Sequence, residues 1–476
     1  MFGKEFMDKI KKIAQIMKKP VDEAGIVRKE QEIMDTFSEI NATIFCEVLN
    51  EIEEEVLSSY LAQGYVKKQA VERTIQFPLG PVTYIRTPVE KNGSTIYPID
   101  QLLGIEPYER YSKGTQYLVH QLNVHLSYRN SATALEITCP CMSIGKDTVG
   151  RIVKGFKESY KEYEMYEEEY GELENREVDA VYIEGDGLFV STQDGMKKEI
   201  AHFVVHEGVE KTGKRKQVVE KKHFVGESHQ KTLQDVQNYL YRTYDLRETI
   251  VITNSDGGKG YTNTAFQSLL PAKIKRHEHF LDRYHVTRKL EERVFVAELI
   301  PIFQKAINGY SFSDVSAALD TLESYAETDV HEKHIRKLRA YLRRNWKFLK
   351  PYDMRELPGE KEGIGIMESE QRYITYRMKG QGKHWGVGLE ATAKNIACWL
   401  NGTLRDIFQK TWRQAFALDD RLKQEQGKTG KSDYFHDEQE EPSTPSTYRI
   451  NYNRPDPATA EKMKWYSGYS GKYRGI

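Results

Sequence analysis

The chain has 476 residues, with 70 Lys plus Arg against 71 Asp plus Glu, a net charge of −1, 39% hydrophobic and 30% charged residues. That balance excludes a disordered chain and argues neither for nor against nucleic acid, so the distribution of charge has to decide. The length suits about two to four domains. No apolar run reaches the ~18 residues of a membrane span, and the start MFGKEFMDKIKKIAQIMKK lacks the continuous apolar core of a signal peptide. Cys46, Cys139, Cys141 and Cys398 are too few and too scattered for a disulfide framework, and Cys139-Pro140-Cys141 is not a CxxC zinc pair. The expected place is a reducing cytoplasm, away from membranes.

In chain order, residues 1 to about 70 carry apolar positions at helical spacing through Ile33, Phe37, Ile40, Ile44, Val48 and Ile52. A β-rich stretch follows, broken by Gly80-Pro81 and by Asn92-Gly93, the latter a good hairpin turn. Helix returns over residues 110–160. Within it, residues 128–153 read as a helix-turn-helix, with a turn around Pro140 and Lys146, Thr148 and Arg151 pointing outward to DNA. A plain helical hairpin is the bland alternative. The acidic, Tyr-rich run from about 157 to 179 reads as an exposed helix or linker and marks a boundary.

Beyond it come three β candidates, VDAVYIEGDGLFVS, EIAHFVVHEGVE and QVVEKKHFVGES. Then follow a helix (LQDVQNYLYRTYD), a strand (ETIVITNSDGG), a helix (TNTAFQSLL) and a strand (AKIKRHEHFLD). Three strands and then helix–strand–helix–strand is the order of a ribonuclease-H-like α/β domain. Residues from 286 to about 350 are helical and interrupt it. There, HEKHIRKLRAYLRRNWKFLK carries eight Lys or Arg against one Glu, so Arg336, Arg339, Arg343, Arg344 and Lys347 are candidate phosphate contacts; a solvated basic face is the alternative. Helices are expected over 367–378 and 389–417. The polar chain from about 420 reads as a flexible tail, and its final WYSGYSGKYRGI mixes aromatic and basic residues as nucleic-acid-touching segments do.

Three acidic sites stand out. Asp186 lies between glycines in an apolar strand, where a buried charge is costly unless something binds it. Asp256 follows a buried strand and precedes two glycines, at the carboxyl end where open α/β sheets bind ligands. Glu368 opens a helix. Singly, each has a bland reading as a turn or as a helix-start carboxylate. Together, two aspartates and a glutamate can hold two divalent ions for phosphoryl transfer, and Mg²⁺ (or Mn²⁺) suits such hard oxygen ligands.

The IEGDG strand, the NSDGG strand end, Leu281-Asp282-Arg283-Tyr284-His285-Val286, Met367-Glu368-Ser369, Arg377-Met378 and Gly382-Lys383-His384-Trp385 resemble the ISLre-type insertion-sequence transposases, related to the Mutator-like DDE enzymes. Asp282 and His285 match that group's C/D-x-x-H element, and Asp256 and Glu368, 112 positions apart, leave room for its helical insertion. The resemblance implies Asp186, Asp256 and Glu368 as catalytic metal ligands, with Glu184, Glu370 and Glu390 as possible misassignments. Asp282 and His285 would support the site, although His285 could instead orient phosphate or be a structural histidine beneath the sheet. Arg377, Lys383 and Trp385 join the DNA-binding candidates. The implied partner is double-stranded DNA, as terminal repeats and target, bound by a homo-oligomer in the bacterial nucleoid.

The expected architecture is α/β: a ribonuclease-H-like mixed sheet (175–285 and 360–417) with a helical insertion (286–359), an N-terminal helical and β DNA-binding region (1–160), and a tail (420–476). The alternatives to a transposase are a related metal nuclease and an inactive, transposon-derived DNA-binding protein.

Overall fold

The computed structural model describes residues 4–21, 25–139, 141–171, 173–213, 215–358, 364–380 and 382–409. The 420–476 tail and the Pro140 turn lie outside the described residues. Helices α1 (Lys4–Lys18) and α2 (Gly25–Ala62) precede the short strands β1 (Val66–Lys67), β2 (Val71–Phe77), β3 (Gly80–Arg86), β4 (Val89–Lys91) and β5 (Ser94–Ile96). Asn92 and Gly93 both take positive φ (52° and 76°) and close a two-residue turn between paired Lys91 and Ser94. This is the twist-matched hairpin geometry expected of that pair. Gly80-Pro81 does not form the other turn; both residues lie in β3, and Pro78-Leu79 closes the hairpin. Leu49 of α2 packs with Ile75, Val82 and Tyr84 into a small core of its own.

Helices α3 (Pro98–Leu102), α4 (Lys113–His125), α5 (Tyr128–Thr138) and α6 (Lys146–Tyr170) follow. Val119, Ala132, Leu135, Val149 and Val153 hold α4, α5 and the start of α6 together. The acidic run is no linker: as far as Tyr170 it is the second half of α6. Its Glu164 pairs with Lys231 at 3.0 Å and Lys394 at 3.2 Å, and its Glu167 with Arg242 at 3.0 Å.

The main sheet has five strands in the order β10-β7-β6-β11-β12. These are β6 (Ala180–Ser191), β7 (Lys197–His206), β10 (Lys222–Gly226), β11 (Ile250–Ser255) and β12 (Arg276–Leu281), with β8 (Val209–Thr212) and β9 (Arg215–Val218) as a side hairpin. The strand read as QVVEKKHFVGES is broken at Glu220, whose φ of 47° cannot continue a strand, so β9 and β10 pair separately. β10, β7 and β6 are antiparallel; β11 and β12 run parallel to β6. On one face, Val181, Ile183, Phe203, Val205 and Val251 meet helices α7 (His229–Thr243) and α8 (Asn263–Gln267) through Val236, Leu240 and Phe266. On the other, Leu188, Val190, Ile200 and Val225 meet α13 (Met367–Met378, through Ile374 and Met378) and α14 (Leu389–Leu400, through Leu389, Ala393 and Ile396).

Between β12 and that second helical layer lie α9 (Arg283–Arg293), α10 (Ile300–Asn308), α11 (Phe312–Ser324) and α12 (Asp329–Asn345). They share a separate core of Val286, Leu290, Phe303, Val315, Leu319, Leu338 and Leu342. The chain then returns as α13 (Met367–Met378), α14 (Leu389–Leu400) and α15 (Leu404–Gln409). Among the described residues no helix is long and apolar enough to cross a membrane.

One half-buried acid in this frame gives a stability prediction. Asp235 on α7 is pushed up from the usual carboxylate range to about 7, first by burial and then by the charge of Glu164, partly offset by Lys394 and Lys231. Because its folded value is raised, its charged form opposes folding: the penalty is absent below pH 4 and complete once pH exceeds about 7. Asp235→Asn should therefore stabilise the protein by about 1–3 kcal/mol at pH 8 and by less than half as much at pH 5. Urea unfolding at the two pH values measures this, and an equal effect at both would contradict it.

Candidate active site

The strand register builds a carboxylate row. Ser255 at the end of β11 pairs with Gly185 of β6 on one side and Leu281 of β12 on the other. The next residue on each strand is an aspartate, so Asp186, Asp256 and Asp282 stand side by side across three adjacent parallel strands, two of them at strand carboxyl ends. Glycines make the close approach possible. A Cβ on Gly185 would meet the Phe203 ring at 2.6 Å, and Gly257, at φ +71°, would bring one to 2.9 Å from Leu281.

Each carboxylate is held by local donors. Asp186 Oδ1 accepts from the Gly187 N–H at 2.7 Å and its Oδ2 from Gln371 Nε2 at 3.3 Å. Asp256 Oδ1 accepts from the Gly258 N–H at 2.7 Å, and Asp282 caps α9 by accepting from the Tyr284 N–H at 2.9 Å. Burial, and then the charge of Asp256, raises the Asp186 carboxyl; the Gly187 N–H, His285 and Gln371 oppose the rise. Burial also raises Asp282, where the charges of Glu184 and Asp256 add to the rise and the Tyr284 N–H and His285 work against it. The row is thus a set of crowded like charges, with half-buried His285 in the first turn of α9 as a neighbouring compensating group. His285 lies near enough to Asp186 and Asp282 to act on both carboxylates.

The other acids divide clearly. Glu184 is 1% exposed and caps α13: its carboxylate accepts from the N–H groups of Gly365 (2.8 Å), Ile366 (3.2 Å) and Met367 (3.2 Å), and from Asn254 Nδ2 (3.1 Å). Glu370 is buried against Lys221 (2.8 Å) and His223 (3.3 Å), and Glu390 pairs with Lys157 at 3.5 Å. Glu368, in the first turn of α13, leaves 64% of its side chain exposed and pairs with Arg372 at 3.2 Å. Gln371, three positions on, is the α13 side chain that touches the row, a residue sequence reading missed although it shares a face with Glu368.

The structure does not bring Glu368 onto the aspartates. Among the described residues no three His, Cys, Asp or Glu side chains form a group that could hold a metal as they stand. Mg²⁺ needs only one or two carboxylates, with waters and substrate phosphate filling its octahedron. The crowded, hard-oxygen pair of Asp186 and Asp256 fits that requirement.

The DNA-binding candidates separate by burial. Lys146 and Arg151 are exposed at the start of α6, with Arg151 donating to half-buried Thr148 at 3.3 Å. Arg336, Arg343, Arg344 and Lys347 are exposed on or just after α12, whereas Arg339 is neutralised by Asp320 (3.0 Å) and Glu323 (2.8 Å) of α11. Arg377 and Trp385 require correction. Arg377 is 4% exposed and donates to the Asn123 carbonyl at 3.0 Å; Trp385 is 8% exposed and donates to the Met378 carbonyl at 2.7 Å. The two stack on each other in the interior, which removes both from DNA. Half-buried Lys383 donates to the Tyr376 carbonyl at 3.4 Å.

Comparison with known proteins gives consistent relatives. A UPF0236 protein of Streptococcus gallolyticus, named for the vanSb 3′ region, is 31% identical over 392 residues, which is 81% of this chain and 85% of the relative. A UPF0236 protein of Caldanaerobacter subterraneus subsp. tengcongensis is 23% identical over 341 residues, 71% of this chain and 69% of the relative. Another from the same organism is 24% identical over 295 residues, 61% and 60% of the two chains. The model of an uncharacterised protein family, UPF0236, matches residues 24–414, and the chain belongs to that family.

Proposed function

We propose that this chain is a DDE-type DNA transposase of the ISLre kind, built on a ribonuclease-H-like domain, which nicks DNA at element ends and joins the freed 3′-hydroxyl to target DNA. The observation that carries the reading is the row of Asp186, Asp256 and Asp282 across three adjacent parallel strands. The sheet order, with three antiparallel strands followed by two parallel to the first, supports the ribonuclease-H-like assignment. The Caldanaerobacter relative named for eleven separate loci of one genome fits a gene that is copied from place to place.

Asp186 and Asp256 would hold Mg²⁺ or Mn²⁺, and Glu368, paired with Arg372, is not among the ligands proposed. When bound, such ions lower the pKa of water or of a 3′-hydroxyl and stabilise the leaving oxygen. The protein's own groups do the rest. Gln371 and the Gly187 N–H fix the Asp186 carboxylate, the Gly258 N–H fixes that of Asp256, and Asp282 holds the first turn of α9, which sets His285 beside the row. Exposed Lys146 and Arg151 on α6, and Arg336, Arg343, Arg344 and Lys347 on or beside α12, would bind DNA phosphates through counterion release.

The test is cleavage of a supercoiled plasmid carrying the terminal repeats that flank the gene, with Mg²⁺ or Mn²⁺ and Asp256→Ala as control. The expected result is metal-dependent nicking that the variant loses, followed by joining of a pre-cut 3′-hydroxyl end. Nicking without joining would point to a plain nuclease. Equal DNA binding by both proteins with no cutting would leave only a DNA-binding protein.

A further inference from the structure

The helical insertion buries an unsatisfied polar group in the core it shares with the end of β12. Tyr341 of α12 is 7% exposed, and its hydroxyl is buried with no hydrogen-bond partner. It packs in the same cluster as Leu281, the residue before Asp282. Its ring lies under two cations of α9: Lys289 Nζ is 5.4 Å and the Arg293 guanidinium 5.7 Å from the ring centroid. The charges of Asp256, Arg293, Arg344 and Asp282 all act on the hydroxyl. Phenylalanine would satisfy the packing alone, and a buried hydroxyl with no partner is costly to keep. A donor with two cations against its ring and carboxylates within electrostatic reach suits a phosphodiester, whose charge the cations meet and whose oxygens accept hydrogen bonds.

We propose that Tyr341, with Lys289, Arg293 and Arg344, forms a phosphodiester subsite on the insertion, in which the Tyr341 hydroxyl donates to the DNA phosphate lying against Asp256 and Asp282. This rests on the DNA-cutting reading above and names the group that positions the strand there. Tyr341 is a positioning residue: it moves no proton and forms no bond to DNA. The raised phenol stays protonated and remains a donor.

The test uses full-length Tyr341→Phe, which keeps the ring beneath Lys289 and Arg293. Binding is measured in Ca²⁺ on duplexes of the element end, each with one uncharged methylphosphonate linkage, walked along the strand. The variant should melt no lower than the wild type, because it removes only an unpartnered hydroxyl. It should bind the unmodified duplex about tenfold more weakly. One methylphosphonate position should weaken the wild type about as much and cost the variant nothing further. Wild-type affinity in the variant, or losses that add at every position, would overturn the proposal. Because binding needs no cleavage, the result stands apart from the plasmid assay: absent wild-type nicking sinks the transposase reading and leaves this comparison intact.

Discussion

Asp186→Asn should raise the melting temperature of the metal-free protein, remove the further rise that Mg²⁺ brings, and abolish DNA cleavage. The first effect follows from the register of β6, β11 and β12, which sets Asp186, Asp256 and Asp282 in one row. Without a cation, Asp186 is raised by burial and by the Asp256 charge, so neutralising it relieves repulsion worth about 1 kcal/mol. Asparagine keeps the shape and can still accept from the Gly187 N–H. The second effect follows from linkage: a cation at a hundred times its dissociation constant stabilises the folded state by about 2.7 kcal/mol, and only if its ligands remain. The third is the largest. Metal-bound carboxylates supply several kcal/mol of transition-state stabilisation, so a loss of about 10³-fold or more is expected, each tenfold being about 1.36 kcal/mol. Thermal melts with and without Mg²⁺, run beside plasmid nicking, read all three. An Asp186→Asn protein that keeps its Mg²⁺-induced rise would remove Asp186 from the metal site.

How much of this was legible depended on whether the signal was local. The strand of Asp186 and that of Asp256 are apolar runs punctuated by glycine, and period and punctuation are local properties. The register that puts Asp282 beside Asp256 was accessible only through the resemblance, because strand pairing joins residues far apart in sequence. Helix α13 was read at 367–378, where it occurs. Its cap was not legible: Ile366, at the N-cap position, offers no side-chain oxygen, and the acceptor comes from Glu184, far back on β6. Trp385 and Arg377 misled for a related reason. They became DNA candidates only through the resemblance, and only the packing of α13 and α14 on Leu188 and Val190 puts them in the interior. The acidic run was legible as a helix but not as a packed one, because its glutamates meet Lys231, Arg242 and Lys394 on distant helices.

Glu184→Ala should behave unlike the aspartate variants, and the contrast separates an anchor from a ligand. Glu184 lies two residues before Asp186 on the same face of β6, and composition alone cannot rank the two. The structure gives Glu184 three backbone N–H donors at the start of α13 and a fourth donor on Asn254, all at 3.2 Å or less, with the carboxylate almost wholly buried. Charge-assisted bonds of this kind are worth about 1.5–3 kcal/mol each before cooperativity, and removing the acceptor leaves buried donors orphaned. Alanine should therefore cost about 3–5 kcal/mol and lower the melting temperature by about 5–10 °C, with or without Mg²⁺. Hydrogen exchange should speed up over residues 365–371 while α2 and the β2–β3 hairpin stay unchanged, because their core is separate. Activity should fall as well, since α13 carries Gln371. Glutamine at 184 should land between, because it keeps one acceptor oxygen but turns an amide toward N–H groups. If Glu184→Ala instead melted no lower than the wild type without metal and lost only the Mg²⁺-induced rise, Glu184 would be the ligand and Asp186 its neighbour.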